Sequence, residues 1–130
     1  MKKRILVVSS ANMDFVMNVS AIPEAGETLL ENTGDYHFIP GGKGGNSAIA
    51  VQRLGGDCVF CAKLGRDQSG ATLRQLYQNE GINVTYMRSA EGASTGLAAI
   101  IVEENGDNRI TVFPGANDRL TADDAEEALL

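Results

Sequence analysis

The stretch FIPGGKGGNSAIAV, Phe38 to Val51, places four glycines and a lysine in the six residues Gly41 to Asn46, then runs into an apolar repeat. Residues without a Cβ let a ligand approach the main chain, and the first amides of a following helix are hydrogen-bond donors without intrahelical partners. Lys43 and Asn46 add side-chain donors. Such a surface suits a polyhydroxylated molecule as well as a phosphate, and it also reads as a plain flexible loop leading into a helix; this stretch alone leaves both readings open. Two phosphate motifs are disfavoured by spacing. A P-loop ends in Gly-Lys-Ser/Thr, whereas Lys43 is followed by glycine. A dinucleotide fingerprint beginning at Gly42 and Gly44 meets Ser47 at its third place.

Strand and helix patterns alternate on either side of this stretch. RILVVSS (Arg4 to Ser10) is a continuous apolar run expected to form a central strand covered on both faces. DFVMNV and DYHFIP, separated by the turn PEAGET, are shorter and mixed in polarity, and are expected as exposed or edge strands. A helix is expected from about Gly45 to Leu54, with Ala48, Val51 and Leu54 on one face and Gly55-Gly56 as the stop. Next come the strand CVFCAKLG, a helix over about Ser69 to Glu80 with Leu73, Leu76 and Tyr77 on its apolar side and Gly81 at its end, and the strand NVTYMR. TGLAAIIV and RITVF flank EENGDN, whose Asn105-Gly106 signals a hairpin because both residues tolerate positive φ. PGAN then turns the chain. LTADDAEEALL opens a helix with Thr121 as N-cap and Asp124 three residues on, and it is expected to lay Ala125, Leu129 and Leu130 against a sheet. Its stop in mid-helix reads as a cut, so a fragment is expected. The alternation implies an α/β fold with a largely parallel sheet.

The 130 residues, 43% hydrophobic, suffice for one domain or part of one. A net charge of −6 and a pI near 4.7 argue against nucleic-acid and anionic-membrane partners, which are captured by lysine and arginine patches. The apolar run after the basic start is too short for a signal peptide or membrane span. Cys58 and Cys61 lie three apart in a strand pattern and so face opposite sides; they are expected as buried, reduced thiols of a cytoplasmic protein, since a thioredoxin-like pair needs a helix N-terminus and zinc a second ligand pair. Asn12 and Asp14 follow the first strand, where ligand-binding loops of open α/β sheets lie, although asparagine and aspartate also favour plain turns. His37, the only histidine, is read as structural.

Together these residues resemble the N-terminal half of the ribokinase-like (PfkB-type) carbohydrate kinases. Gly41-Gly42-Lys43-Gly44-Gly45-Asn46, Ala48, Gly55 and Gly65 match the first family signature in order, and GRDQSG, with Gly65, Asp67 and Gly70, matches a glycine-aspartate segment. The resemblance runs from Ile5 to about Asn117 and includes STGLAAI at Ser94 to Ile100. It implies a ribokinase-like α/β fold: a largely parallel sheet flanked by helices, with a small β lid and its C-terminal part missing. Residues 1–130 are then the N-terminal part of one kinase domain, with lid strands at about 14–20, 33–40 and 95–113. The implied sugar-binding residues are Asn12, Asp14, Gly41, Gly42, Lys43 and Asn46, with Ala98, Ile100 and Ile110 on the apolar side of the pocket. The implied activity is ATP-dependent phosphorylation of a sugar hydroxymethyl group, ribose being the expected substrate. ATP, Mg2+ and a monovalent cation are the implied cofactors, and a homodimer through the lid strands is the implied assembly.

The family's second signature, an Asp-Thr-x-Gly-Ala-Gly-Asp run carrying the catalytic base and anion hole, does not occur in these residues. No catalytic residue is therefore assigned to this chain, and the chain alone is expected to be inactive. PGAND, Pro114 to Asp118, lacks the preceding Asp-Thr and is read as a turn. The rival readings are a non-catalytic sugar-binding or dimerisation module, a fructose, nucleoside or sugar-acid kinase of the same family, and a nicotinamide-dependent oxidoreductase domain.

Overall fold

A computed structural model describes residues 2–32 and 34–130. It contains two sheets. In the first, β1 (Arg4–Val8), β4 (Asp57–Gly65) and β5 (Met87–Ala90) run parallel in the order β1-β4-β5. In the second, β3 (Asp35–Gly41), β2 (Asn12–Val19), β6 (Gly96–Glu103) and β7 (Asn108–Phe113) lie in the order β3-β2-β6-β7. There β2 pairs antiparallel with β3 and parallel with β6, and β6 pairs antiparallel with β7. Helices α1 (Lys43–Arg53), α2 (Gln68–Asn79) and α3 (Ala122–Leu129) and a short 3-10 helix (Gly115–Arg119) complete the chain. The expected lid segments at about 14–20, 33–40 and 95–113 fall on β2, β3 and the β6–β7 hairpin, with position 33 outside the described residues.

The core lies where α1 and α2 cover the parallel sheet. Ala48, Cys58, Phe60, Ala62, Leu64, Leu73, Tyr77, Ile82 and Met87 are buried there, joined by Ala11 and Met13 from the entry to the second sheet. Phe60 and Tyr77 meet edge to face at 5.3 Å, a geometry that aligns the ring quadrupoles. Both cysteines are free and buried, because β4 is the central strand and both its faces are covered.

Several expectations are corrected. The centre of the parallel sheet is β4, not β1, whose only neighbour here is β4 and whose Ile5 and Val8 are partly exposed. An apolar run shows that a strand is covered, but not on how many sides it is paired. Likewise β2 is interior to its sheet, its mixed polarity reflecting two different faces rather than an edge. Leu54 caps α1 and is exposed. The turn between β6 and β7 has positive φ only at Gly106. Glu103 accepts from the Gly106 amide at 2.9 Å and donates to the Asp107 carbonyl at 2.8 Å, so the three-residue loop is a type I turn closed by a glycine bulge. On α3 the capping box between Thr121 and Asp124 forms as expected, but Leu129 and Leu130 are exposed. The helix is held instead by polar groups. Lys63 Nζ meets Asp124 Oδ1 at 2.9 Å, Arg88 pairs with Glu127, and the Cys61 thiol donates to the Asp124 carbonyl.

The end of β4, the start of α2 and the entry to β6 are drawn together by one side chain. Asp67, the N-cap of α2, accepts from the Gly70 amide at 2.9 Å, the Thr95 amide at 2.8 Å and the Thr95 hydroxyl at 2.6 Å. Thr95 Oγ1 in turn accepts from the Gly65 amide. A Cβ at Gly65 or Gly70 would strike the backbone of this junction, which explains both glycines of GRDQSG. Burial pushes the Asp67 carboxyl up, but the hydrogen bonds from Thr95 and Gly70 outweigh it and hold the group below its ordinary value. A depressed folded value means that the contribution is full at neutral pH and is lost as the pH falls through that value. Asp67→Ala should therefore cost about 1–2 kcal/mol at pH 7, the usual loss for an N-cap. Urea unfolding at a series of pH values checks this, and the gap to wild type should narrow in acid.

Candidate functional site

Strand register gathers the singled-out residues. Asn12 lies between Gly41 on β3 and Gly96 on β6, and two residues on, Asp14 lies between Ile39 and Ala98. Ala98 is opposite Val112, and Ile100 is opposite Ile110. Because side chains alternate along a strand, Asn12, Asp14, Ala98, Ile100 and Ile110 all belong to one face of the second sheet. Ile39 and Val112, which sequence reasoning did not single out, belong to the same face and are exposed. Phe15, Tyr36, Phe38 and Phe113 project from the opposite face.

Two paired positions beside Asn12 are glycine, and the missing side chains leave room for polar groups. A Cβ at Gly41 would fall on the Asp14 carboxylate, and a Cβ at Gly96 would fall on the side-chain amides of Asn12 and Asn117. Gly42, with φ 87°, then turns the chain into α1. The helix starts at Lys43, two residues earlier than expected, so Gly44 and Gly45 are buried inside its first turn. There Gly44 packs on Ser9 and Ser10, and Gly45 packs on the Tyr77 hydroxyl, too closely in each case for a Cβ. No side chain caps α1, so its first amides, with their partial positive charge, have no side-chain acceptor at the end of β3. Lys43 and Asn46 are exposed at this helix start. His37 is exposed on β3.

Asp14 Oδ1 and the Tyr77 hydroxyl are buried without a hydrogen-bond partner. Burial raises the Asp14 carboxyl above its ordinary value. Tyr77 is pushed up to about 12, by burial first and by the nearby Asp14 charge second. A native structure seldom leaves buried polar atoms unpaired, and such atoms cluster where a ligand or water completes the set. Here one acceptor, the uncapped helix amides and an apolar wall formed by Ala98, Ile100 and Ile110 converge. This arrangement can hold a molecule with several hydroxyl groups on one side and an apolar edge on the other. Among the described residues no group of three or more His, Cys, Asp or Glu side chains gathers to hold a metal ion. Among them, too, no helix is long and apolar enough to cross a membrane.

Comparison with known proteins fixes the class. The pfkB family carbohydrate kinase profile matches residues 2–130, and the chain belongs to that family. It is similar to the ribokinase of Bacillus subtilis, 37% identical over 127 residues, or 98% of this chain and 42% of that protein. The fold is similar to that of the ribokinase from Giardia lamblia, with a TM-score of 0.86, 31% identity, and coverage of 98% of this chain and 40% of that one. It is similar also to Arabidopsis thaliana ribokinase complexed with ribose and ATP, with a TM-score of 0.84, 31% identity, and coverage of 97% and 42%. The chain thus spans about two fifths of the length of these relatives. The ribokinase-like α/β fold implied by the family resemblance is the fold observed.

Besides Ile39 and Val112, sequence reasoning missed three residues of this region. Gly96 and Tyr77 become visible only through what packs against them. Asn117 lies in PGAND, which reads as a turn and folds as a 3-10 helix whose asparagine reaches back to Asn12.

Since a raised carboxyl value means that the ionised group costs stability at neutral pH, and that this cost disappears as the pH falls, Asp14→Asn should raise the thermal midpoint at pH 7. The gain should shrink in acid. Thermal melts across that range, on the complete protein without ligand, check the sign.

Proposed function

We propose that the protein carrying this chain is an ATP-dependent sugar kinase that converts ribose to ribose 5-phosphate, and that this chain supplies its sugar-binding and lid portion. The observation that carries the reading is the buried, unpartnered Oδ1 of the Asp14 carboxylate, which lies over Gly41 on the face shared with Asn12, Ala98, Ile100 and Ile110. Ionised, it accepts two hydrogen bonds from neighbouring sugar hydroxyls. Asn12, Lys43, Asn46 and the amides around Gly41 and Gly42 take the remaining oxygens, and the apolar wall meets the carbon face of the ring. The second sheet acts as a lid, excluding water from the hydroxymethyl group to be phosphorylated.

Phosphoryl transfer also needs a base and a cradle for MgATP. We assign these, and any monovalent cation, to sequence that the relatives have and this chain does not span. The chain by itself is then inactive: orientation of a hydroxyl does not replace charge stabilisation on the transferred group. The acidic surface and buried free thiols fit a cytoplasmic enzyme. The face of the lid away from the sugar supports association with a second copy. Phe15 stacks on Phe38 at 4.6 Å, and Tyr36, Phe38 and Phe113 are more than half exposed, an apolar patch of the kind that a symmetric dimer covers.

The central test is calorimetric titration of the complete kinase with ribose. Asp14→Ala should weaken binding by about 1.5–3 kcal/mol, roughly ten- to a hundredfold. Gly41→Ala should do the same while leaving the fold intact, because the new methyl drives the Asp14 carboxylate from its place. Wild-type ribose affinity in both variants would remove Asp14 from the site. Tighter binding of fructose, a nucleoside or a sugar acid would reassign the substrate within the family. Light scattering should show a dimer, and Phe38→Asp with Tyr36→Asp should shift it to monomer.

A further inference from the structure

Asn117 makes three hydrogen bonds in this region, and they use both of its amide donors. Its Oδ1 accepts from the Ala11 amide at 3.0 Å, and its Nδ2 donates to the Pro114 carbonyl at 3.0 Å and to Asn12 Oδ1 at 2.7 Å. The first two partners are backbone groups of fixed chemistry, one a donor and the other an acceptor, so they leave the Asn117 amide only one orientation. That orientation presents Nδ2 to Asn12, and Asn12 can answer only with its oxygen. With Oδ1 turned to Asn117, the end of the Asn12 amide directed away from Asn117 is Nδ2, which has no protein partner among the described residues. Asn12 is nearly buried, at 9% exposure, and Gly96 leaves the space in which the two amides meet.

We infer that Asn117 is a positioning residue: by holding Asn12 Oδ1 it fixes the Asn12 side chain as a hydrogen-bond donor toward the bound molecule. The inference rests on the sugar-site reading of Asn12 given above. It defines a relay from backbone to Asn117 to Asn12 to ligand, in which the 3-10 helix after β7 selects which end of the Asn12 amide the ligand meets. A sugar hydroxyl or ring oxygen at that point is therefore bound through its lone pair. An orientation in which it donates at that point is disfavoured.

Reversing the relay tests it. In Asn117→Asp the atom facing Asn12 becomes an acceptor, so Asn12 turns to donate to it and shows the ligand an oxygen; the same atom also loses its bond to the Pro114 carbonyl, a structural cost that the double-mutant cycle separates from the reversal. Ribose affinity of the complete kinase, measured by calorimetry without nucleotide, should fall about tenfold, the worth of one reversed hydrogen bond. Asn12→Ala should also weaken binding, and Asn117→Asp should add nothing further in the Asn12→Ala background. If Asn12→Ala weakens binding while Asn117→Asp binds as wild type, the positioning role is overturned and the site reading stands. Equal losses from Asn117→Asp in both backgrounds overturn it too, by showing a general structural effect. Unchanged affinity in Asn12→Ala overturns the site reading itself, and the inference falls with it. Asn117→Ala, run through the same cycle, gives the same decision if a melt shows the aspartate variant to be unfolded; there the loss is smaller, because Asn12 is released rather than reversed.

Discussion

The arrangement depends on two absent methyl groups. Where β2 meets its neighbours at Asn12, both paired residues are glycine, Gly41 on one side and Gly96 on the other. The carboxylate of Asp14 fills the space at the first, and the paired amides of Asn12 and Asn117 fill the second. Any side chain at either position would displace a polar group that stands beside Ala98, Ile100 and Ile110 on the same face. Glycine inside a strand ordinarily weakens it, and its usual justification is that something else must come close to the backbone. Here that something is the chemistry of the site.

The same device joins the two sheets. Gly65 and Gly70 let the end of β4 and the start of α2 press against Thr95, the residue just before β6, while Asp67 binds the amide and hydroxyl of Thr95. On the other side of the junction, the 3-10 helix returns Asn117 to Ala11 and Asn12. Both tethers end at the root of the second sheet, and neither reaches its far edge. The strands that carry Asp14 and the apolar wall are thus anchored at the end of the sheet where Asn12 and Gly96 lie.

Sequence showed the elements better than their neighbours. The helices over α1 and α2, the strand around Cys58 and Cys61 and the capping box at Thr121 were all readable, because periodicity and cap residues are local signals. The paired neighbours of β1 and β2 were not, since an apolar or mixed run records burial and says nothing about which strand lies beside it. The site was legible where glycine and charge announce themselves, at Gly41 to Asn46 and Asp14. Tyr77 was readable as core but not as the ring whose hydroxyl lies under Gly45, because that approach joins two helices distant in sequence. Asn117 was hidden by good turn chemistry: Pro-Gly-Ala-Asn explains itself locally, so nothing prompts a search for a partner 105 residues away.

The two cysteines of β4 carry a consequence of a different kind. They lie on opposite faces of the central strand, both fully buried, and burial raises both thiols. A thiol-reactive dye reaches Cys61 only if the covering on one face of the strand lifts, and Cys58 only if the covering on the other face does. α3 is tied to the Cys61 side through Asp124, whereas the Cys58 amide is held by Gln52 of α1. The pair is therefore a built-in two-channel reporter: the order in which the thiols become reactive under rising denaturant states which layer of the protein separates first.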